Sequence, residues 1–560
     1  MDHLSGLDAT FLYLETPEQP MHVGGLNIFE LPAGYEGDFV EDLRAHITQR
    51  MHLAPVFRRK LVNMPFELAN PIWVADEDVD MEYHIRSTVL PKPGSRAQLD
   101  KLVGRLHSSL LDRSRPLWEF YVIEGLQSPP DAPAGTRHVA FYSKVHHAAV
   151  DGAAGVALAN AIMDITAIPR AVRPAPLRRA TVTDNFGIAE LALSGIKNTA
   201  IQSAILAKNL PALARAAYSM LRPPKSEEPT VGLAGLEMVD SPPKNRWFAP
   251  KTPINVSITN QRTFSSLSFP LHAIKHIAKS NSVTLNDVVM AICSGALRRY
   301  LADLNCVPDQ SLLAAVPISL REAGNTDMNT QASMLRISLA STVADPKARL
   351  LAINQASKSA KAASASMNAV MPTDFPSLGV PWILSSVAAL FGRSKLANNM
   401  APLANLVISN VPGPNVALYL AGAKMVTYYP VSIVTHSLAL NVTVQSYNGS
   451  LDFGLIACRK AMPDLPELGK YMQKSFEEML AFTPAVAPPV VPAVVPAVPL
   501  QGGSPADTKP VIKPVTKPKP VAKPAAKKSA AKKMVAKKAV AKRAVAKKHP
   551  SKKAAKKAAK

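Results

Sequence analysis

Through about residue 170, the chain mixes short runs that alternate apolar and polar residues with apolar residues at helical spacing. The clearest alternation runs over 138–145, with Val139, Phe141 and Val145 on one face and Tyr142 and Lys144 on the other. A period of two predicts a strand. Residues 146–151 read as a turn, and GAAGVALANAIMDI reads as a helix with Asp151 placed to cap its N-terminus. A second mixed region covers 251–483. There Thr284 and Asp287 form a capping-box pattern ahead of a helix running to about Leu301. Strand-like stretches follow at 406–409, 439–446 and 451–457, and the YNG at 447–449 supplies a hairpin turn between the last two. The pattern predicts an α/β (α+β) architecture in two halves: an N-terminal domain over 1–170, a crossover over 171–250 and a C-terminal domain over 251–483.

The crossover is rich in Pro, Ala and basic residues. Within it, Ser194 to Leu221 carries Ile196, Ile205, Leu206 and Leu210 beside Lys197, Lys208 and Arg215, with Pro211 interrupting. A basic amphipathic helix of this kind can lie in a membrane interface or pack as a bridge between two halves. The run PWILSSVAALF at 381–391 is too short to span a bilayer but long enough to dip into one. Longer uncharged stretches contain repeated prolines or many polar groups. The expectation is therefore a protein that reaches lipid from the surface rather than by crossing it.

Charge sharpens this picture. The chain's net charge is +23, yet residues 501–560 hold 20 Lys and Arg against the single acid Asp507, which places +19 there. The rest is nearly neutral, so any affinity for DNA or another polyanion is expected of the tail, 484–560. Its Pro-Val-Ala and Ala-Lys repeats lack the hydrophobic bulk to offset the entropy of folding, which predicts disorder. Cys293, Cys306 and Cys458 are far apart with no CxxC pair, which points to a reducing cytoplasm and away from a zinc site. The first residues lack the basic cluster and apolar run of a secretory signal.

The candidate chemistry lies in His146-His147-Ala148-Ala149-Val150-Asp151-Gly152. A neutral imidazole near pH 7 is suited to take a hydroxyl proton as the oxygen attacks an acyl carbonyl. A base at a strand end, followed by a capped helix, is held rigidly, and Gly152 lets the backbone pack closely. The plainer alternative is two partly buried histidines beside an ordinary helix cap. No GxSxG is present, which disfavours a serine nucleophile.

The HHxxxDG string resembles the signature of the bacterial wax ester synthase/acyl-CoA:diacylglycerol acyltransferase family. Other stretches are similar in order and spacing: LSGLDATFLYLETPEQPMHVG at 4–24, NPIWVADEDVDMEYHIR at 70–86, RPLWE at 115–119, LNDVV at 285–289 and ISNVPGP at 408–414. The resemblance covers about residues 4–480. It implies two coenzyme A-dependent acyltransferase-like domains with the active-site His at their interface and a channel crossing the protein, and fatty acyl transfer from acyl-CoA to diacylglycerol or a long-chain alcohol. That chemistry calls for no metal and no cofactor, acyl-CoA being a co-substrate. His147 would be the base, His146 and Gly152 its support, and Asp151 mainly architectural. Asn286 would stabilise the oxyanion or orient substrate. Substrate contacts would fall to Pro116, Leu117, Trp118, Glu119, Asp287, Ser409, Asn410, Pro412 and Gly413. On composition alone, the PLWE element reads as a core Trp with an exposed Glu. The chain departs from the family at Ser437, where Gly is usual, and at Cys458, where an acid is usual. The implied location is the inner membrane face or a lipid droplet. Alternatives are another alcohol acceptor on the same fold, or an inactive lipid-droplet or nucleoid tether.

Overall fold

The computed structural model describes residues 2–64, 70–129, 132–133, 135–150, 152–174, 248–319, 332–368 and 398–484. Asp151, the 194–221 segment, the 381–391 run and the tail lie outside these residues. In the first half the elements are β1 (Asp2–His3), α1 (Gly6–Leu14), β2 (His22–Glu30), α2 (Phe39–Arg50), β3 (Arg59–Val62) and β4 (Ile72–Ala75). After these come α3 (Met81–His84), β5 (Ile85–Val89), α4 (Arg96–Ser108), β6 (Trp118–Leu126), β7 (His138–His146) and α5 (Gly152–Ile162). The second half begins with β8 (Arg262–Pro270), α6 (Leu271–Ser280), α7 (Leu285–Asp303), β9 (Leu313–Ser319), β10 (Ala332–Ser338) and α8 (Pro346–Asn368). It ends with β11 (Leu406–Val411), β12 (Tyr419–Leu420), β13 (Ala423–Val431), β14 (Leu440–Tyr447), β15 (Ser450–Cys458) and α9 (Leu465–Ala481).

These form two six-stranded sheets, β12-β13-β2-β7-β6-β5 and β10-β9-β11-β14-β15-β8, and a small sheet β1-β4-β3. The strand expected over 138–145 is present as β7, one residue longer, and the expected hairpin is β14–β15. Its turn residues Asn448 and Gly449 both have positive φ, 41° and 88°, as a tight two-residue turn between twisted strands requires. Thr284 and Asp287 close a reciprocal capping box at the start of α7. β7 is buried on both faces. Val139, Phe141 and Val145 pack into one apolar cluster, and Ala140 and Tyr142 into another.

The second cluster is the seam between the halves. Leu26, Tyr121 and Tyr142 of the first sheet meet Phe264, Ile456 and Cys458 of the second. The seam is also tied covalently, because β12 and β13 leave the second half and complete the edge of the first sheet. β13 pairs antiparallel with β2, from Lys424 opposite Glu30 to Val431 opposite Gly24. Where β13 passes over the second sheet, Pro430 lies so close to Gly454 of β15 that a Cβ there would stand 1.7 Å from the Pro430 carbonyl oxygen. Only glycine permits that approach.

Candidate active site

The His-His turn is pinned from two sides. At the end of β7, the His146 N–H donates to the Leu117 carbonyl (3.0 Å) and the His147 N–H to the Met21 carbonyl (2.9 Å). One neighbour is the PLWE element and the other the 4–24 segment, so two sequence motifs meet at the third. Ala149 N–H then donates to His146 O (2.9 Å), closing the turn ahead of α5. Gly152 is the first residue of that helix.

The two histidines do different things. His146 has no exposed surface. Its Nδ1 accepts from Ala148 N–H at 3.0 Å, so in the neutral ring the proton sits on Nε2. That Nε2 lies 3.3 Å from Glu15 Oε1, close enough for charge attraction though not aligned as a hydrogen bond. His147 is partly exposed, and its ring stacks on Phe11 of α1, centroids 3.8 Å apart and planes 16° from parallel. An apolar wall of Leu4, Ala9, Leu12, Leu117 and Ala148 stands beside Phe11. Such a wall suits an aliphatic group and limits the access of water to the His147 ring.

Glu15, just past α1, anchors the arrangement. Its carboxylate accepts from Met21 N–H (2.9 Å) through Oε1. Through Oε2 it accepts from Arg113 Nε (3.0 Å) and Nη2 (2.7 Å). Burial pushes this carboxyl up, but His146, Arg113 and the Met21 N–H outweigh burial and hold it at about 2. It is therefore a fixed anion under the turn at any physiological pH.

Beneath this lies a buried polar layer on the seam face of the first sheet. Lys144 Nζ, with no exposed surface, lies 2.9 Å from Glu119 Oε2. The same oxygen accepts from Tyr121 Oη at 2.8 Å. Burial raises the Glu119 carboxyl, but Lys144, Tyr121 and Arg86 together outweigh this and hold it below its usual range. Glu119 is thus buried and ion-paired, not exposed as composition alone suggested. Next to it, His22 stands opposite His146 across the β2–β7 ladder. His22 Nε2 donates to the His107 carbonyl (2.8 Å), and His107 Nδ1 accepts from Tyr142 Oη (2.7 Å). Burial holds His107 down to about 3 and His22 well below the usual range, so both rings are neutral.

The remaining expected site residues divide by location. Trp118 is a core side chain. It stacks on His84 with centroids 4.2 Å apart, and its Nε1 donates to Phe57 O at 3.3 Å. Pro116 and Leu117 are buried beside the turn. Asn286 is partly exposed in the first turn of α7. Its neighbour Asp287 is buried and held within the fold, Oδ2 accepting from Thr284 N–H (2.9 Å) and Asn354 Nδ2 (2.6 Å). Ser409 and Asn410 lie on β11, paired with Thr443 and Val444 of β14, and Pro412 is exposed beyond them. Gly413 N–H donates to Ser446 Oγ (3.0 Å), and a Cβ there would lie 2.1 Å from the Ser446 carbonyl oxygen. Among the described residues, then, His146, His147 and PLWE converge. Asn286, Asp287 and 409–413 stand in the other half, and the contacts of Asp287 run into its own domain.

Sequence reasoning missed Phe11, Glu15, Arg113 and Lys144 as parts of this assembly. The available signal was that Phe11 and Glu15 fall inside the 4–24 motif and Lys144 two residues before His146. Among the described residues no group of three or more His, Cys, Asp or Glu stands arranged to hold a metal ion.

The comparisons with known proteins agree with one another. The wax ester synthase/diacylglycerol acyltransferase catalytic domain matches residues 4–289, and the C-terminal domain of the same family matches 329–480. A Mycobacterium tuberculosis protein assigned by name to the diacylglycerol O-acyltransferases is 36 % identical over 478 residues, 85 % of this chain and 99 % of that one. The O-acyltransferase WSD of Acinetobacter baylyi is 34 % identical over 499 residues, 87 % of this chain and 98 % of that protein. In three dimensions the chain is similar to the wax ester synthase/diacylglycerol acyltransferase of Marinobacter aquaeolei. The TM-score is 0.59 at 31 % identity, covering 85 % of this chain and 98 % of the other. This chain belongs to the wax ester synthase/diacylglycerol acyltransferase family.

Proposed function

We propose that the protein transfers a fatty acyl group from acyl-CoA to the hydroxyl of a diacylglycerol or long-chain alcohol, with His147 as general base. The observation that carries this reading is the contrast between the two histidines. His147 is partly exposed against Phe11 and an apolar wall, while His146 is enclosed and tied to Glu15. His147 accepts the hydroxyl proton as the oxygen attacks the thioester carbon. The resulting oxyanion collapses with cleavage of the C–S bond, and the imidazolium returns the proton to the CoA thiolate. Asn286 supplies an amide donor to the oxyanion, and Asp151 and Gly152 fix the turn. The backbone bonds of His146 to Leu117 and of His147 to Met21 support this reading, because they hold the turn before substrate arrives.

Such substrates partition into lipid. Among the described residues no helix is long and apolar enough to cross a membrane. We assign the enzyme to the cytoplasmic surface of a membrane or a lipid droplet, reached peripherally, and the Lys-rich tail to a polyanion.

The test is direct. Purified protein is given labelled palmitoyl-CoA with either hexadecanol or diolein, and the products are resolved. His147→Ala should lower turnover by roughly 10²–10⁴-fold with the far-UV spectrum and melting temperature unchanged. A folded His147→Ala protein that kept most of its turnover would remove His147 from the mechanism.

A further inference from the structure

An open cleft of about 650 Å³ lies in the second half, lined by Thr259, Asn260, Gln261, Arg459, Lys460 and Pro463. Its walls are the loop entering β8 and the turn leaving β15, joined by a hydrogen bond from Arg459 N–H to Gln261 O at 3.0 Å. Two cations and no acid line it. Asp464, next to Pro463, is engaged by Tyr300 Oη at 2.7 Å.

A third cation lies behind the first wall. Arg262 is 6 % exposed, and among the described residues no carboxylate is within ion-pair distance of it. Its guanidinium donates only to carbonyls, those of Thr259 and Gln261 behind the cleft and of Glu18 (2.6 Å) across the seam. Cys458, paired with Arg262 across the β15–β8 ladder, is fully buried there, its Sγ accepting from Thr259 N–H at 3.4 Å. An acid at 458 would compensate Arg262. A thiol leaves the charge of Arg262 to act on the cleft, at a depth where it is weakly screened.

The Arg262–Glu18 contact also gives the cleft a direction. Glu18 lies three residues before Met21, whose carbonyl holds the His147 N–H. Arg262, behind the cleft wall, thus links the cleft to the segment that forms one side of the active site. In acyl-CoA the phosphates are far from the thioester, with the pantetheine arm between them.

We propose that this cleft binds phosphate groups of the acyl donor's nucleotide, with Arg459 and Lys460 as ligands and Arg262 as the fixed charge behind them. The proposal rests on the acyl-CoA reading of the enzyme. Phosphate recognition by two charge-assisted hydrogen bonds over a buried guanidinium favours the donor while leaving the reacting atoms alone.

Full-length wild type, Arg459→Ala/Lys460→Ala and Cys458→Asp would be compared on palmitoyl-CoA and on palmitoyl-pantetheine, which lacks the nucleotide, with the same acceptor. The double variant should raise KM for palmitoyl-CoA roughly tenfold and change kcat by less than about twofold. Its KM for palmitoyl-pantetheine should stay at the wild-type value. Cys458→Asp should move KM for palmitoyl-CoA in the same direction, by setting a negative charge beside Arg262. An unchanged KM for palmitoyl-CoA in the double variant would overturn the proposal, as would an equal rise with both thioesters. If the double variant instead lost binding to phosphatidylglycerol vesicles with KM unmoved, the cleft would serve a lipid headgroup and the donor assignment would fall. Arg459 and Lys460 are exposed, so the double variant tests the idea even if Cys458→Asp does not fold. A wild-type protein that made no ester from either thioester would instead refute the acyltransferase reading itself.

Discussion

Single residues carry two of the sharper expectations. Ser437 sits at φ 72°, in the left-handed region that disfavours a side chain, and its N–H donates to Val256 O (3.0 Å), which fixes it there. A glycine at that point would adopt this backbone without strain. Ser437→Gly should raise stability by about 1 kcal/mol, read as a higher melting temperature, with the neighbouring His436 contact to Gln19 retained. Glu15 offers a pH test. Its folded carboxyl titrates near 2, well below an ordinary carboxyl at 4.5, so it contributes stability above pH 4.5 that is lost as pH falls through about 2. Glu15→Gln should therefore be less stable than wild type at pH 7, and the gap should narrow between pH 4.5 and 2 in denaturant titrations. Activity should fall too, because His146 loses the anion that holds it. That anchor was hidden in the sequence, since nothing local to Glu15 or His146 says that they meet. The candidate base His147, in contrast, is singled out by seven consecutive residues, and its role is the proposal that His147→Ala tests.

At the scale of elements, what was legible is what short-range pattern encodes. The period of two over 138–145, the capping box at Thr284 and the Asn448-Gly449 turn each specify their own backbone, and each is present. Which strand pairs with which is not a local property. The alternation within 423–431 gives no hint that β13 leaves its own half to lie beside β2. Likewise nothing local to Tyr142 and Lys144 shows that their face of β7 is covered by α4 and the second half and holds a buried ion pair. The crossing at Gly454 supplies an element-scale prediction. A methyl group 1.7 Å from the Pro430 carbonyl cannot be accommodated without displacing β13. Gly454→Ala should destabilise by roughly 1–3 kcal/mol or more and reduce turnover, since β13 and the His-His strand share one sheet. An equally stable, fully active Gly454→Ala would mean that the two sheets slide freely past each other.

For the whole molecule, charge and catalysis should separate. All the motifs end by about residue 480, and +19 of the +23 net charge lies beyond residue 500. A protein ending at Thr483 should keep ester synthesis on dispersed substrates, while losing the binding to DNA or anionic vesicles that in the full chain weakens steeply with salt. Gel shift and vesicle sedimentation at two salt concentrations distinguish the outcomes. Equal binding by the shortened protein would place the polyanion surface in the enzyme core. Loss of activity would make the tail part of the working enzyme.

The strand that crosses between the halves also dictates an order of events at the ribosome. β2 is complete once residue 30 has emerged, yet the neighbour on one of its sides, β13, is not made until residue 431. For most of synthesis the first sheet therefore presents a bare edge with its backbone groups unsatisfied. Such an edge is a template for illicit pairing between nascent chains. Pairing so distant in sequence also closes slowly, because a large loop entropy must be overcome first. The yield of native protein in a cell should thus depend on elongation rate and on chaperones that shield that edge, and neither half produced alone should be a faithful substitute for its part of the whole.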